Sequence, residues 1–135
     1  MTTTRIWAGI ACAMALMACS QMPEVTRTGK VANVTVREGL DPQTITVAAG
    51  DEVRWINQRT GDVRIEFIDS IANQISCTRG FHVVAGLGHD NTAALNPDET
   101  ASLCFSQVGT KRYIVRMEST KPGGEQSLNG TVEIQ

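Results

Sequence analysis

From Val31 to the end of the chain, apolar and polar residues alternate singly, and that alternation confines the chain to β-structure. Val34 and Val36 flank Thr35, Ile45 and Val47 flank Thr46, and Val53 and Trp55 flank Arg54. Val63, Ile65 and Phe67 alternate with Arg64 and Glu66, and Tyr113, Val115 and Met117 share a face opposite Arg112 and Arg116. Val132 and Ile134 close the series. A period of two puts one side of each run into a core and the other into water. Turn-forming groups separate the runs: Gly50-Asp51, Gly61-Asp62, Asn96-Pro97-Asp98, Val108-Gly109-Thr110, Pro122-Gly123-Gly124 and Asn129-Gly130. The pattern predicts seven or eight short strands in a sandwich or barrel, with room for one short helix between Phe81 and Leu95.

The first twenty residues are of another kind. Arg5 is followed by an apolar run, Ile6 to Leu16, too short to span a bilayer comfortably and suited to the h-region of a signal peptide. The run ends in Leu16-Met17-Ala18-Cys19, which resembles a bacterial lipobox. That resemblance implies cleavage before Cys19, lipid on its thiol (palmitate or a similar acyl group) and on the new amino terminus, and a stable membrane anchor from several acyl chains. Ser20, rather than Asp, after the cysteine leans toward the outer membrane, with the protein facing the periplasm. The expected organisation is a signal peptide at 1–18, a lipidated tether at 19–30 (polar, with Pro23) and one β-domain at 31–135. The alternative is an ordinary secretory leader in which Cys19 is incidental.

Export changes how the remaining cysteines are read. Cys77 and Cys104 form an even pair with no C-x-x-C spacing, so a structural disulfide is expected in an oxidising compartment. Charge excludes one class of partner. The chain carries 12 Lys and Arg against 14 Asp and Glu, a formal −2, and losing Arg5 with the leader makes it more acidic still. No basic footprint for nucleic acid is present.

Three stretches resemble the cupredoxins, the small blue-copper β-sandwiches. Thr44–Asn57 (TITVAAGDEVRWIN) is similar to the family's x-V-x-x-G-D-x-V-x-W/F-x-N segment. Leu95–Thr100 (LNPDET) is similar to its L-x-P-G-E-x turn, and Val108–Tyr113 (VGTKRY) to its x-G-T-Y-x-Y/F hairpin. Asn129–Ile134 (NGTVEI) matches the final strand in its glycine and its alternation. The resemblance covers about residues 31–135 and implies a Greek-key β-sandwich. The family holds copper with His, Cys, a second His and usually Met, a soft set suited to electron transfer. Counted from Asn57, Gly109 and Gly130, those positions fall on Val63, Val115, Glu118 and Leu128. The resemblance therefore implies the fold without its blue-copper site.

Other chemistry finds little support. His82 and His89 lie seven residues apart, a spacing outside the usual zinc patterns. With Met117 and Glu118 they make up the one rearranged copper site that can be written down. There is no G-x-S-x-G, P-loop or dinucleotide motif, and Asp98-Glu99 sits beside a turn as a solvated pair would. An immunoglobulin-like frame needs Cys, Trp, Cys in that order, whereas Trp55 precedes both cysteines. The expectation is a lipid-anchored, non-enzymatic binding or accessory module without cofactor, held at a membrane and acting beside an envelope protein complex. The alternative is a periplasmic copper-binding or electron-transfer protein.

Overall fold

The computed structural model describes residues 27–82, 91–119 and 121–135. The leader, Cys19, most of the tether and His89 lie outside the described residues. The described residues form ten strands: β1 (Val31–Val36), β2 (Leu40–Asp41), β3 (Thr44–Val47), β4 (Glu52–Asn57), β5 (Val63–Phe67), β6 (Ile75–Arg79), β7 (Thr92–Leu95), β8 (Thr100–Phe105), β9 (Gly109–Glu118) and β10 (Glu125–Ile134). They form two five-stranded sheets, ordered β2-β1-β4-β8-β6 and β3-β10-β9-β5-β7. The all-β sandwich expected from the alternation is observed, with ten strands rather than seven or eight. Part of the span allotted to a short helix, Thr92–Leu95, is strand β7; residues 83–90 of that span are outside the described residues.

The period of two is what fills the core. Val53 and Trp55 from β4, Ile65 and Phe67 from β5, and Tyr113, Val115 and Met117 from β9 are all at most 5 % exposed. Trp55, Phe67, Phe81, Phe105 and Tyr113 all join this interior. Trp55 meets Phe67, Phe81 and Tyr113 edge-on at centroid distances of 5.7, 5.3 and 5.4 Å, and Phe67 touches Phe105 at 5.9 Å. Edge-to-face pairs of this kind add about 0.5–1.5 kcal/mol each beyond their area.

Polar groups lock the sandwich at both ends. At one end Gly50, with φ of 92°, makes the turn into β4 and donates its N–H to Phe105. Asp51 accepts from the Ala48 amide and from the Thr28 hydroxyl. The Thr28 hydroxyl above all, then the Ala48 amide, holds its carboxyl below the usual range. Residues 27–30, which the sequence assigns to the expected tether, are docked: Thr28 donates to Gly50, Lys30 accepts from Glu52, and Arg27 lies 3.6 Å from Glu52. Among the described residues, these contacts reach back to Arg27, four residues before the strand pattern starts.

Candidate functional site

The other end of the sandwich holds the positions to which the resemblance points. Asn57 closes β4 there and is completely buried. Its amide donates to Gly61 at 2.9 Å and Leu95 at 3.0 Å, and its carbonyl oxygen accepts from the Arg59 amide at 3.0 Å. One side chain thus ties the β4–β5 loop to β7. The next turn is capped by Glu99, which accepts from the Asn96 amide at 2.9 Å; that bond holds its carboxyl low. Glu99 is therefore engaged at the turn rather than simply solvated.

Beyond this belt, β5, β9 and β10 run side by side. Val63 stands opposite Met117, and Val115 opposite both Ile65 and Leu128. Val63, Val115 and Met117 point inward and are 2, 0 and 2 % exposed; Leu128 is half-buried against them. Glu118 follows Met117 in the same unbroken ladder, paired with Glu125, and so faces outward and is exposed. The ladder places Met117 and Glu118 on opposite faces of the sheet. His82 bridges to Thr92, on a rung three residues from that of Val63 and Met117, which is about 10 Å along the strand. The three described residues of the rearranged copper set, His82, Met117 and Glu118, are therefore not brought together. Among the described residues no three His, Cys, Asp or Glu side chains converge as metal ligands would.

Cys77 and Cys104 meet as expected. Cys77 lies in edge strand β6, directly opposite Cys104 of β8, with Cα atoms 4.8 Å apart and the sulfurs bonded. The disulfide thus staples an edge strand of otherwise weak pattern to its sheet.

Two features escape the sequence reading. Arg59, in the β4–β5 loop, has a side chain only 8 % exposed. Its Nη2 donates to the Glu118 carbonyl at 3.2 Å, its Nε lies 4.0 Å from Glu38, and its Nη1 is buried without a partner. Nothing in the local sequence marks it as buried, because the burial comes from the β1–β2 turn and the end of β9 closing over it. Beside it, the β9–β10 hairpin and the start of β5 enclose an open cleft of about 690 Å³. Its lining is mostly charged, with Arg64, Arg116 and Lys121 beside Asp62, Glu118 and Glu125, and Ala94 of β7 faces it from outside the core.

Comparison with solved structures finds the same fold in amicyanins. A reduced single-site mutant of amicyanin superposes with a TM-score of 0.54 at 17 % identity, covering 79 % of this chain and 84 % of that one. An oxidised amicyanin mutant gives 0.53 at 16 % identity, covering 83 % and 91 %. No protein-family model and no curated protein matches the sequence. The chain has a cupredoxin-like domain: at this identity the likeness is one of fold.

Proposed function

We propose that the chain is a lipid-anchored envelope protein whose cupredoxin-like domain lacks the blue-copper site and serves as a non-enzymatic binding or accessory module. The observation that carries this reading is the filling of the hairpin end. Where the family's His and Cys ligands are expected, Val63 and Val115 are buried against Met117. The donor set does not fit copper: it offers one outward carboxylate, Glu118, and no imidazole or thiolate. The two cysteines of the domain are joined to each other elsewhere. Apolar side chains here support the core instead, each buried Val contributing about 1.5–3 kcal/mol.

The anchor and the docked tether support a further aspect of the reading. Cys19 precedes Arg27 by eight residues, a reach of about 28 Å when extended. Arg27 to Lys30 dock where β1 and β4 begin, at the end of the sandwich remote from the β9–β10 hairpin. An acylated Cys19 holds the hairpin and its cleft away from the bilayer, and an anchor of this kind raises the local concentration of membrane partners.

The test is a copper titration of the full-length protein in detergent, read by visible absorbance, with thiols counted on the same sample and palmitate labelling of the producing cells. The expected result is no intense thiolate band, no free thiol from Cys77 or Cys104, and label that Cys19→Ser abolishes. Stoichiometric tight copper would instead favour the rearranged site, and His82 and His89 would be substituted next. Label retained by Cys19→Ser would remove the anchor.

A further inference from the structure

Among the described residues three large apolar side chains are exposed: Val31 at 42 %, Ile68 at 53 % and Val108 at 73 %. Scattered singly, such residues would need no explanation, but the topology puts all three in one half of the sandwich. Val31 opens β1 and pairs with Glu52 at the start of β4. Val108 immediately precedes Gly109, which opens β9 opposite Ile134, and the next residue, Gln135, accepts from Ala49. Ile68 donates its N–H to Arg112, three residues into β9 and so about 10 Å up the side of the sheet. At the hairpin end no large apolar side chain among the described residues is exposed. The half that bears the three is the half the tether enters, through Thr28 on Gly50 and Arg27 beside Glu52.

Charge follows the same division. At the tether end Asp51 is held by Thr28 and Ala48, Glu52 by Arg54 and Arg27, and Asp69 by Arg112. Among the described side chains without an ion pair, that end has Lys30, Arg79 and Lys111 against Glu133. The hairpin end has Asp41, Asp62, Asp98 and Glu118 against Arg37, Arg64 and Lys121. An anionic surface therefore attracts the tether end and repels the other.

We propose that the tether end of the sandwich rests on the phospholipid bilayer that anchors the chain, with Val108 and Val31 in the headgroup boundary, Ile68 at the margin and the hairpin pointing away. This names the surface that the anchored-module reading requires, and it rests on that reading. The three side chains project from a turn and two strand ends, an arrangement that suits a deformable surface better than a fitted groove. They are too few to hold a free protein on lipid. A tether of eight residues between Cys19 and Arg27 changes that, because a short linkage gives a local concentration in the millimolar range, roughly, at which weak contacts are occupied.

The experiment uses the full chain, acylated by the producing cells and reconstituted in vesicles of phosphatidylethanolamine and phosphatidylglycerol. Val108→Cys and Lys121→Cys are each labelled with a nitroxide; Cys77 and Cys104 are bonded to each other and Cys19 carries lipid, so the new thiol is the reactive one. Collision with a water-soluble nickel chelate should be at least about fivefold slower at 108 than at 121, and collision with oxygen faster. Adding Lys30→Glu and Val31→Asp, both at exposed positions, should bring the nickel rate at 108 to within about twofold of that at 121. Equal rates at the two positions in protein that carries palmitate label would overturn this inference and leave the anchor standing. Absence of the label would remove the anchor and the inference together. Shielding at 108 that grows with the protein-to-lipid ratio would assign the contact to a second copy of the chain, and would overturn the inference as well.

Discussion

Gly130 offers the sharpest test of how this sandwich is packed. It stands opposite Tyr113 in the β9–β10 ladder. A Cβ built on it would fall on the tyrosine ring, 2.6 Å from Cε2 and nearer still to Cζ. The ring is fully buried, with Trp55 at 5.4 Å and Phe67 at 5.5 Å, so it has no free space into which to swing. Gly130 is not among the glycines with positive φ, so its backbone suits any residue. Without the ring, Gly130→Ala would stabilise the strand by about 0.4–1 kcal/mol by narrowing the unfolded ensemble. With the ring, overpacking at a site that cannot relax costs about 3 kcal/mol. For a domain of this size that is a fall of roughly 10–20 °C in Tm. The assay is urea unfolding of Gly130→Ala, Tyr113→Val and the double variant. The double-mutant cycle should return at least about 2 kcal/mol of coupling, because with the ring gone the alanine is harmless. A loss below about 0.5 kcal/mol for Gly130→Ala, or a coupling near zero, would refute the idea that the glycine exists to seat the tyrosine.

Other perturbations have equally definite outcomes. Asn57→Ala strips partners from two carbonyls and one amide at a fully buried position, and chemical denaturation should show a loss of about 2–4 kcal/mol. Cys77→Ala/Cys104→Ala opens a loop with a sequence separation of 27 and should cost about 3–4 kcal/mol; hydrogen exchange should rise first in β6, the strand it staples. Asp69 is held down to about 2, first by the Arg112 side chain and then by its amide. A lowered carboxyl stabilises the fold above its unfolded value near 3.8 and loses that contribution as pH falls through about 2. Because Arg112 is 61 % exposed, screening trims the effect to about 1 kcal/mol. Asp69→Asn should thus be less stable than the parent at pH 7, and the two melting curves should converge near pH 2.

The strands legible in the sequence are those whose one face is core. β4, β5, β9 and β10 alternate cleanly because each has two neighbours in its sheet and a packed inner side. The strands that alternation misses are an edge and two short pieces. β6, Ile-Ser-Cys-Thr-Arg, has no fully buried residue and is held by the disulfide and one neighbour. β7, Thr-Ala-Ala-Leu, lacks the β-branched run that marks a strand, and β2 is two residues long. The candidate site was legible where it depends on spacing within a motif, as for Val63 after Asn57. It was not legible where it depends on register. Arg64 and Arg116 come face to face only because β5 pairs with β9, and Arg59 is buried by two segments far from it in sequence.

Register also decides what restoring a metal site would take. The spacing of the resemblance assigns the second imidazole to Glu118, three residues after Val115. In the structure the β9–β10 ladder runs unbroken through that point, with Met117 opposite Gln126 and Glu118 opposite Glu125. Glu118 therefore points out of the sandwich while Val63 and Val115 point in. A graft that follows the spacing, Val63→His with Val115→Cys and Glu118→His, places its two imidazoles on opposite faces. A graft that follows the register uses Met117→His instead. Met117 is directly opposite Val63 and on the same face as Val115, which is diagonal to Val63, so all three donors fall within about 4.5–8 Å at their Cβ atoms. With both grafts shown to be folded by circular dichroism, the register graft should bind copper(II) at least tenfold more tightly and show an intense thiolate band that the spacing graft lacks. Equal or tighter binding by the spacing graft would mean that the ladder opens after Val115, and that Val63, Val115 and Glu118 can still converge on one metal-sized space.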